Sequence, residues 1–90
     1  MVEQQLFDVH ADLDVTRAEL ELIGVHVEQA QHALAEAKVR VALAETPLAQ
    51  REHAAARRRL HDLEAQYAAT QEELERLLVT QDALLAKLVV

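Results

Sequence analysis

The sequence predicts an all-α protein, an antiparallel two-helix coiled-coil hairpin that we expect to assemble into a four-helix bundle. Three observations lead to this fold class: a helix-forming composition, apolar residues at helical spacing in both halves, and a single proline near the midpoint. Ala, Leu, Glu, Lys and Arg make up 52 of the 90 residues, a share typical of coiled coils and long helices. The β-branched residues follow helical spacing rather than alternation, so no strand is predicted.

The first half carries an apolar seam that predicts a helix from about residue 2 to about residue 44. Steps of three and four residues alternate along the seam, which places its members on one side of a helix. The members are Leu6, Val9, Leu13, Thr16, Leu20, Ile23, Val27, Ala30, Leu34, Ala37, Val41 and Ala44. Gly24 flanks the seam and costs about 1 kcal/mol relative to alanine. It either permits a close helix approach or is simply tolerated.

The second half carries an equivalent seam, which predicts a helix from about residue 47 to about residue 88. Its members are His53, Ala56, Leu60, Leu63, Tyr67, Thr70, Leu74, Leu77, Gln81, Leu84 and Leu88. Its register is offset from that of the first seam by five residues, whereas a continuous coiled coil absorbs insertions of three or four. The offset therefore favours two separate helices over one.

A turn is predicted at residues 45–47, Glu45-Thr46-Pro47. Pro47 has no N–H and would clash with the preceding turn, so a straight helix through it costs roughly 3 kcal/mol. Proline is favoured at the first position of a helix, and threonine is a good cap before it. We expect Thr46 to cap a second helix that starts at Pro47. The alternative is one long, kinked helix in an extended dimer.

Folding back at this turn pairs the two seams head to tail. Leu13 then lies near Leu77, Ile23 near Tyr67, and Arg40 near Glu52, where an ion pair can form across the helices. A register one heptad longer is the alternative. With 90 residues the chain has the length of one small domain, so a single helical-hairpin domain is expected over residues 1–90.

Composition argues for an acidic, cytoplasmic protein. The net charge is −7 and there is no cysteine, so disulfides and thiol chemistry are excluded. No apolar run approaches the roughly 18 residues that span a membrane, and the first residues lack the layout of a signal peptide. We expect no membrane span, and we expect nucleic acid to be an unfavourable partner for the whole molecule.

No catalytic, cofactor-binding or metal-binding residues are assigned from the sequence, and we expect no enzyme activity. Cysteine and serine are both absent, which leaves little material for nucleophilic catalysis. The five histidines show no i, i+4 pair on one helix of the kind that binds a metal. His53 is the one histidine on a seam.

A second set of apolar residues lies away from the seams and predicts self-association, most simply as an antiparallel homodimer. A two-stranded seam leaves these positions uncovered, so we expect another hairpin to cover them. The set comprises Phe7, Val15, Leu22, Val25, Leu78 and Leu85.

A cluster of positive charge surrounds the predicted turn. Residues 37–61 hold six basic residues against two acidic ones, whereas the rest of the chain holds three basic against fourteen acidic. We call the six basic residues the basic tip: Lys38, Arg40, Arg51, Arg57, Arg58 and Arg59.

The predicted function is that of a non-catalytic, self-associating coiled-coil module, either structural or an adaptor, that mediates protein–protein interaction. The alternative is a regulator whose basic tip docks on nucleic acid or on an acidic protein surface. The first interpretation depends on the second set of apolar residues, and the alternative depends on the basic tip.

Overall fold

The computed structural model describes residues 1–89, and over this range the protein is all-α. Helix α1 spans Val2–Leu43 and helix α2 spans Pro47–Val89. Each predicted helix is present, with ends that differ from the predicted ones by no more than one residue. No strand occurs within residues 1–89. The predicted helical hairpin is thus confirmed, and the alternative of one long, kinked helix is wrong.

The chain reverses direction without a glycine. At the end of α1 the N–H of Ala44 donates to the carbonyl of Arg40 at 3.0 Å, and the N–H of Thr46 donates to the carbonyl of Ala44 at 2.8 Å. The Thr46 hydroxyl then accepts a hydrogen bond from the N–H of Ala49 at 3.1 Å. Thr46 is therefore the N-cap of α2, with Pro47 at the first helical position, as predicted. No residue in the range 1–89 has a positive φ.

Packing divides the chain into two compact units, and both pair a segment of α1 with a segment of α2. The turn unit is Leu22–Tyr67, and the terminal unit joins Met1–Glu21 to the part of α2 that begins at Ala68. Both pairings are antiparallel because early residues of α1 lie beside late residues of α2. The expectation of a single domain over residues 1–90 stays a prediction.

The terminal unit has a core of large aliphatic side chains. Val9, Leu13, Leu77 and Leu84 form one buried cluster, and Leu13 is fully buried with 0% of its surface exposed. Four partly buried side chains pack around the cluster: Val2, Leu6, Leu74 and Leu78. Burial of such side chains contributes on the order of 1.5–3 kcal/mol each, so this unit holds the larger apolar contribution to folding.

The turn unit has a core of smaller side chains. Its buried residues are Ala30, Ala37, Ala49 and Leu63. Three of these four are alanines, which bury less apolar area than leucine and therefore contribute less free energy to the pairing.

Two contacts in the turn unit show the register, that is, which residues of α1 and α2 face each other. A Cβ built on Gly24 would lie 3.6 Å from Cε2 of Tyr67, and Nε of Arg40 lies 3.3 Å from Oε2 of Glu52. Both pairs belong to the shorter of the two predicted registers, and the register one heptad longer is wrong for this unit. The predicted ion pair between Arg40 and Glu52 is confirmed. The side chains involved are about half exposed, so the pair contributes only about 0–1 kcal/mol.

Both seams agree with the burial of the residues. Every seam residue is buried or half-buried except the last of each seam, Ala44 and Leu88. The two exceptions lie at helix ends, where the facing helix provides less cover.

Replacing Leu13 by alanine should destabilise the protein by about 2–5 kcal/mol, because the substitution leaves a cavity in the terminal core. Leu43→Ala is the matched control, since Leu43 is 82% exposed, and should cost less than about 0.5 kcal/mol. Urea unfolding followed by circular dichroism at one fixed protein concentration measures both. Equal losses from the two variants would contradict the assigned core.

Replacing Thr46 by alanine should cost about 1 kcal/mol, because the N–H of Ala49 loses its side-chain acceptor at the start of α2. Thr46→Ser retains the hydroxyl and should cost much less. Thermal unfolding of the two variants and the wild type distinguishes the loss of the capping hydrogen bond from the loss of side-chain volume as the cause of any destabilisation. A serine variant as unstable as the alanine variant would show that the cap is not what stabilises the turn.

Candidate interaction surfaces

The terminal unit exposes large apolar side chains outside its core. Phe7 is 72% exposed, Val15 is 58% exposed and Leu85 is 45% exposed, whereas Leu78 is half-buried against the core. These four belong to the set that the sequence predicts for self-association. Val79, Leu88 and Val89 are also exposed. The exposed apolar surface of this unit is therefore larger than the predicted self-association residues alone indicated.

A shallow apolar cleft lies between α1 and α2 in the terminal unit. Its volume is about 380 Å³, and it is lined by Glu3, Leu6, Phe7, His10, Gln81 and Leu85. Leu6 and Gln81 are seam residues, whereas Phe7 and Leu85 come directly after a seam position in the sequence. The cleft thus exists because the seam leaves the neighbouring apolar side chains without a covering helix, and it suits an apolar or amphipathic partner.

The terminal unit is strongly acidic. It contains ten acidic residues and three basic ones. Arg76 donates from Nε to Glu73 at 2.9 Å, and Arg17 lies 4.0 Å from Asp14. The hydrogen bond from Arg76 holds the pKa of Glu73 below its ordinary value. These two arginines are partnered within their own helix, so most of the negative charge stays uncompensated.

The turn unit carries all six residues of the basic tip, and all six are exposed. Arg40 forms the ion pair with Glu52. The other five have no carboxylate within 4.0 Å in the described part of the chain. Arg57 and Arg58 line a shallow groove with His61. The structure therefore separates Arg40, which joins the two helices, from five cations that are free to meet an anionic partner.

Three exposed apolar residues near the turn were not named as self-association residues from the sequence. They are Val39, Leu43 and Leu48. The spacing of four between Val39 and Leu43, both off the seam, is the signal that could have found them. Leu22 and Val25, which were named, lie in the same unit and are 57% and 46% exposed.

The histidines are dispersed. His53 and His26 are half-buried, and the other three are exposed. No group of three or more His, Cys, Asp or Glu side chains among residues 1–89 is placed to hold a metal ion. Within the same residues, neither helix has a stretch long and apolar enough to cross a membrane.

Comparison of the chain with protein-family models, with curated proteins and with solved structures finds no match. The class that the fold and surfaces define is a two-helix hairpin with an apolar, acidic terminal unit and a turn unit that carries a basic tip.

The glycine of α1 has room for a side chain. The 3.6 Å between a Cβ at Gly24 and Tyr67 is an ordinary van der Waals distance. The structure therefore supports the interpretation that the glycine is tolerated in α1, and not that close packing of the two helices requires it.

Gly24→Ala should therefore stabilise the protein by about 1 kcal/mol, since alanine has the higher helix propensity and costs less backbone entropy. Gly24→Leu is the informative comparison, because a larger side chain must displace Tyr67 and should cancel the gain. Both are measured by urea unfolding. Destabilisation by the alanine variant would show that the helices need the glycine to approach one another.

Proposed function

We propose that this protein is a non-catalytic helical module that acts by self-association, as a structural or adaptor element, and that the homodimer is its simplest form. Two observations support the proposal: the surface that the chain exposes, and the apolar character of part of that surface.

The exposed surface exceeds that of a typical monomer. The chain has an accessible surface of 6646 Å² for a mass of 10.1 kDa, whereas a globular monomer of that mass exposes about 5,300 Å². The excess is larger than the roughly 800 Å² that each partner buries in a standard interface. Only nine of the 89 described residues are buried, so one pair of helices leaves ample area for a second copy.

The apolar part of this surface carries the proposal. Phe7 and Leu85 both line the cleft of the terminal unit, and Val15 and Val79 are exposed in the same unit. Scattered apolar residues are normal on any protein surface. Here Phe7 and Leu85 line one cleft together with Leu6, and exposed apolar residues gathered at one site favour association.

Association of hairpins through such faces gives a helical bundle. Helices of 42 and 43 residues are long enough to present many turns to a second hairpin. Packing two hairpins side by side forms a four-helix bundle, in which the off-seam residues enter a shared core. A homodimer with two-fold symmetry needs only one self-complementary face.

Sedimentation equilibrium or light scattering at tens of micromolar tests the proposal directly. We expect a mass of twice the 10.1 kDa of the chain. The double variant Phe7→Glu/Leu85→Glu should weaken association by about 100-fold or more, because each residue contributes about 1.5–3 kcal/mol when buried. Ala33→Glu/Ala65→Glu, which adds the same two charges at exposed positions outside the named surfaces, is the matched control and should leave association unchanged.

A monomer at these concentrations would contradict the proposed function. A dimer that the double variant leaves unchanged would show that a different face of the hairpin associates.

A further inference from the structure

We infer that two copies associate through unlike ends: the basic tip of one copy docks on the acidic, apolar face of the terminal unit of the other. The inference rests on the proposed self-association and names the two surfaces that meet.

The receiving surface combines an apolar floor with uncompensated negative charge. Its floor is the cleft that contains Phe7 and Leu85. Glu3 lines the same cleft but lies 3.7 Å from the N-terminal ammonium, so the uncompensated charge comes from carboxylates of α2. Asp82 follows the cleft residue Gln81 in the sequence, and Glu75 lies seven residues, about two helical turns, before Asp82. Both are exposed and have no ion-pair partner within residues 1–89. This face therefore suits a partner that brings both cations and apolar length.

The basic tip supplies both cations and apolar length. Arg57 and Arg58 line a groove of the turn unit, and Arg59, Arg51 and Lys38 are exposed in the same unit. An arginine side chain lays its methylene groups along apolar surface while its guanidinium reaches a carboxylate. The same guanidinium can stack on an aromatic face such as that of Phe7.

Charge favours contact between a terminal unit and a turn unit (unlike ends) over contact between two terminal units (like ends). The terminal unit has ten acidic and three basic residues, a net charge of −7, whereas the turn unit has six of each. Contact between like ends places two terminal units of charge −7 side by side, and they repel one another. Contact between unlike ends sets the −7 unit against a neutral unit whose cations are exposed. Electrostatic complementarity of this kind determines the orientation in which partners meet.

A two-fold dimer makes the unlike-end contact twice. In an isologous dimer, whatever the first copy contacts on the second, the second contacts on the first. Both basic tips and both acidic faces are then used, and the assembly closes.

Cross-linking between single-cysteine variants tests the orientation, since the natural chain has no cysteine. Gln4→Cys lies beside the cleft residues of the terminal unit, and Gln50→Cys lies in the turn unit; both positions are exposed. The two purified variants are mixed, allowed to exchange, and treated with a short bis-maleimide. Mass spectrometry of the linked peptides then shows which positions were joined between different chains.

We expect links that join position 4 of one chain to position 50 of another. A dimer that gives only links between identical positions, or no link between positions 4 and 50, overturns the unlike-end contact and leaves the proposed function standing. A monomeric mass overturns both.

Charge reversal provides an independent readout. Arg57→Glu/Arg58→Glu/Arg59→Glu should weaken the dimer about tenfold or more. Adding Glu3→Lys, Glu75→Lys and Asp82→Lys to the same chain restores a net charge of −7 and should restore the affinity, because the two surfaces again carry opposite charge. If the triple variant keeps the dimer and instead loses binding to single-stranded poly(U) RNA, the arginines serve another partner and the inference is overturned.

Discussion

Two helices packed side by side can cover only one stripe of each other, and this constraint governs the rest of the protein. Leu13 lies on the covered stripe and is fully buried, whereas Phe7, six residues earlier on the same helix, is 72% exposed. A third or fourth helix would be needed to cover both. Because one chain supplies only two helices, its apolar side chains outside the seams stay exposed. This lack of a covering helix explains the apolar cleft and the large exposed surface, and it underlies the proposed self-association.

The pairing of the two helices rests on apolar contact rather than on charge. Among the ion pairs within residues 1–89, only that of Arg40 with Glu52 joins α1 to α2; the others join residues that are no more than four positions apart in the sequence. Exposed pairs contribute little to stability in any case. The charges are therefore free to act between molecules, where their separation into an acidic terminal unit and an exposed basic tip selects the orientation of a partner.

Much of the fold could be predicted because two local signals agree. The step of three and four residues identifies the buried stripe of each helix. It failed at Ala44 and Leu88, which are exposed near helix ends, and it missed Ala49, which is buried although it lies off the seams. Pro47 with Thr46 marks the break and the cap through backbone chemistry that acts within four residues. The surfaces were harder to predict: Val39, Leu43 and Leu48 lie off the seams, where the pattern alone does not distinguish a covered residue from an exposed one.

The sequence by itself determined the two helices, their ends, their seams and the segregation of charge, because each depends on residues that are neighbours along one helix. Only the tertiary structure decided between the two registers, showed that Gly24 has room for a side chain, and brought Phe7 and Leu85 together in one cleft. These features depend on which residues of α2 lie opposite α1, and a shift of one heptad keeps the same apolar pattern while changing every facing pair.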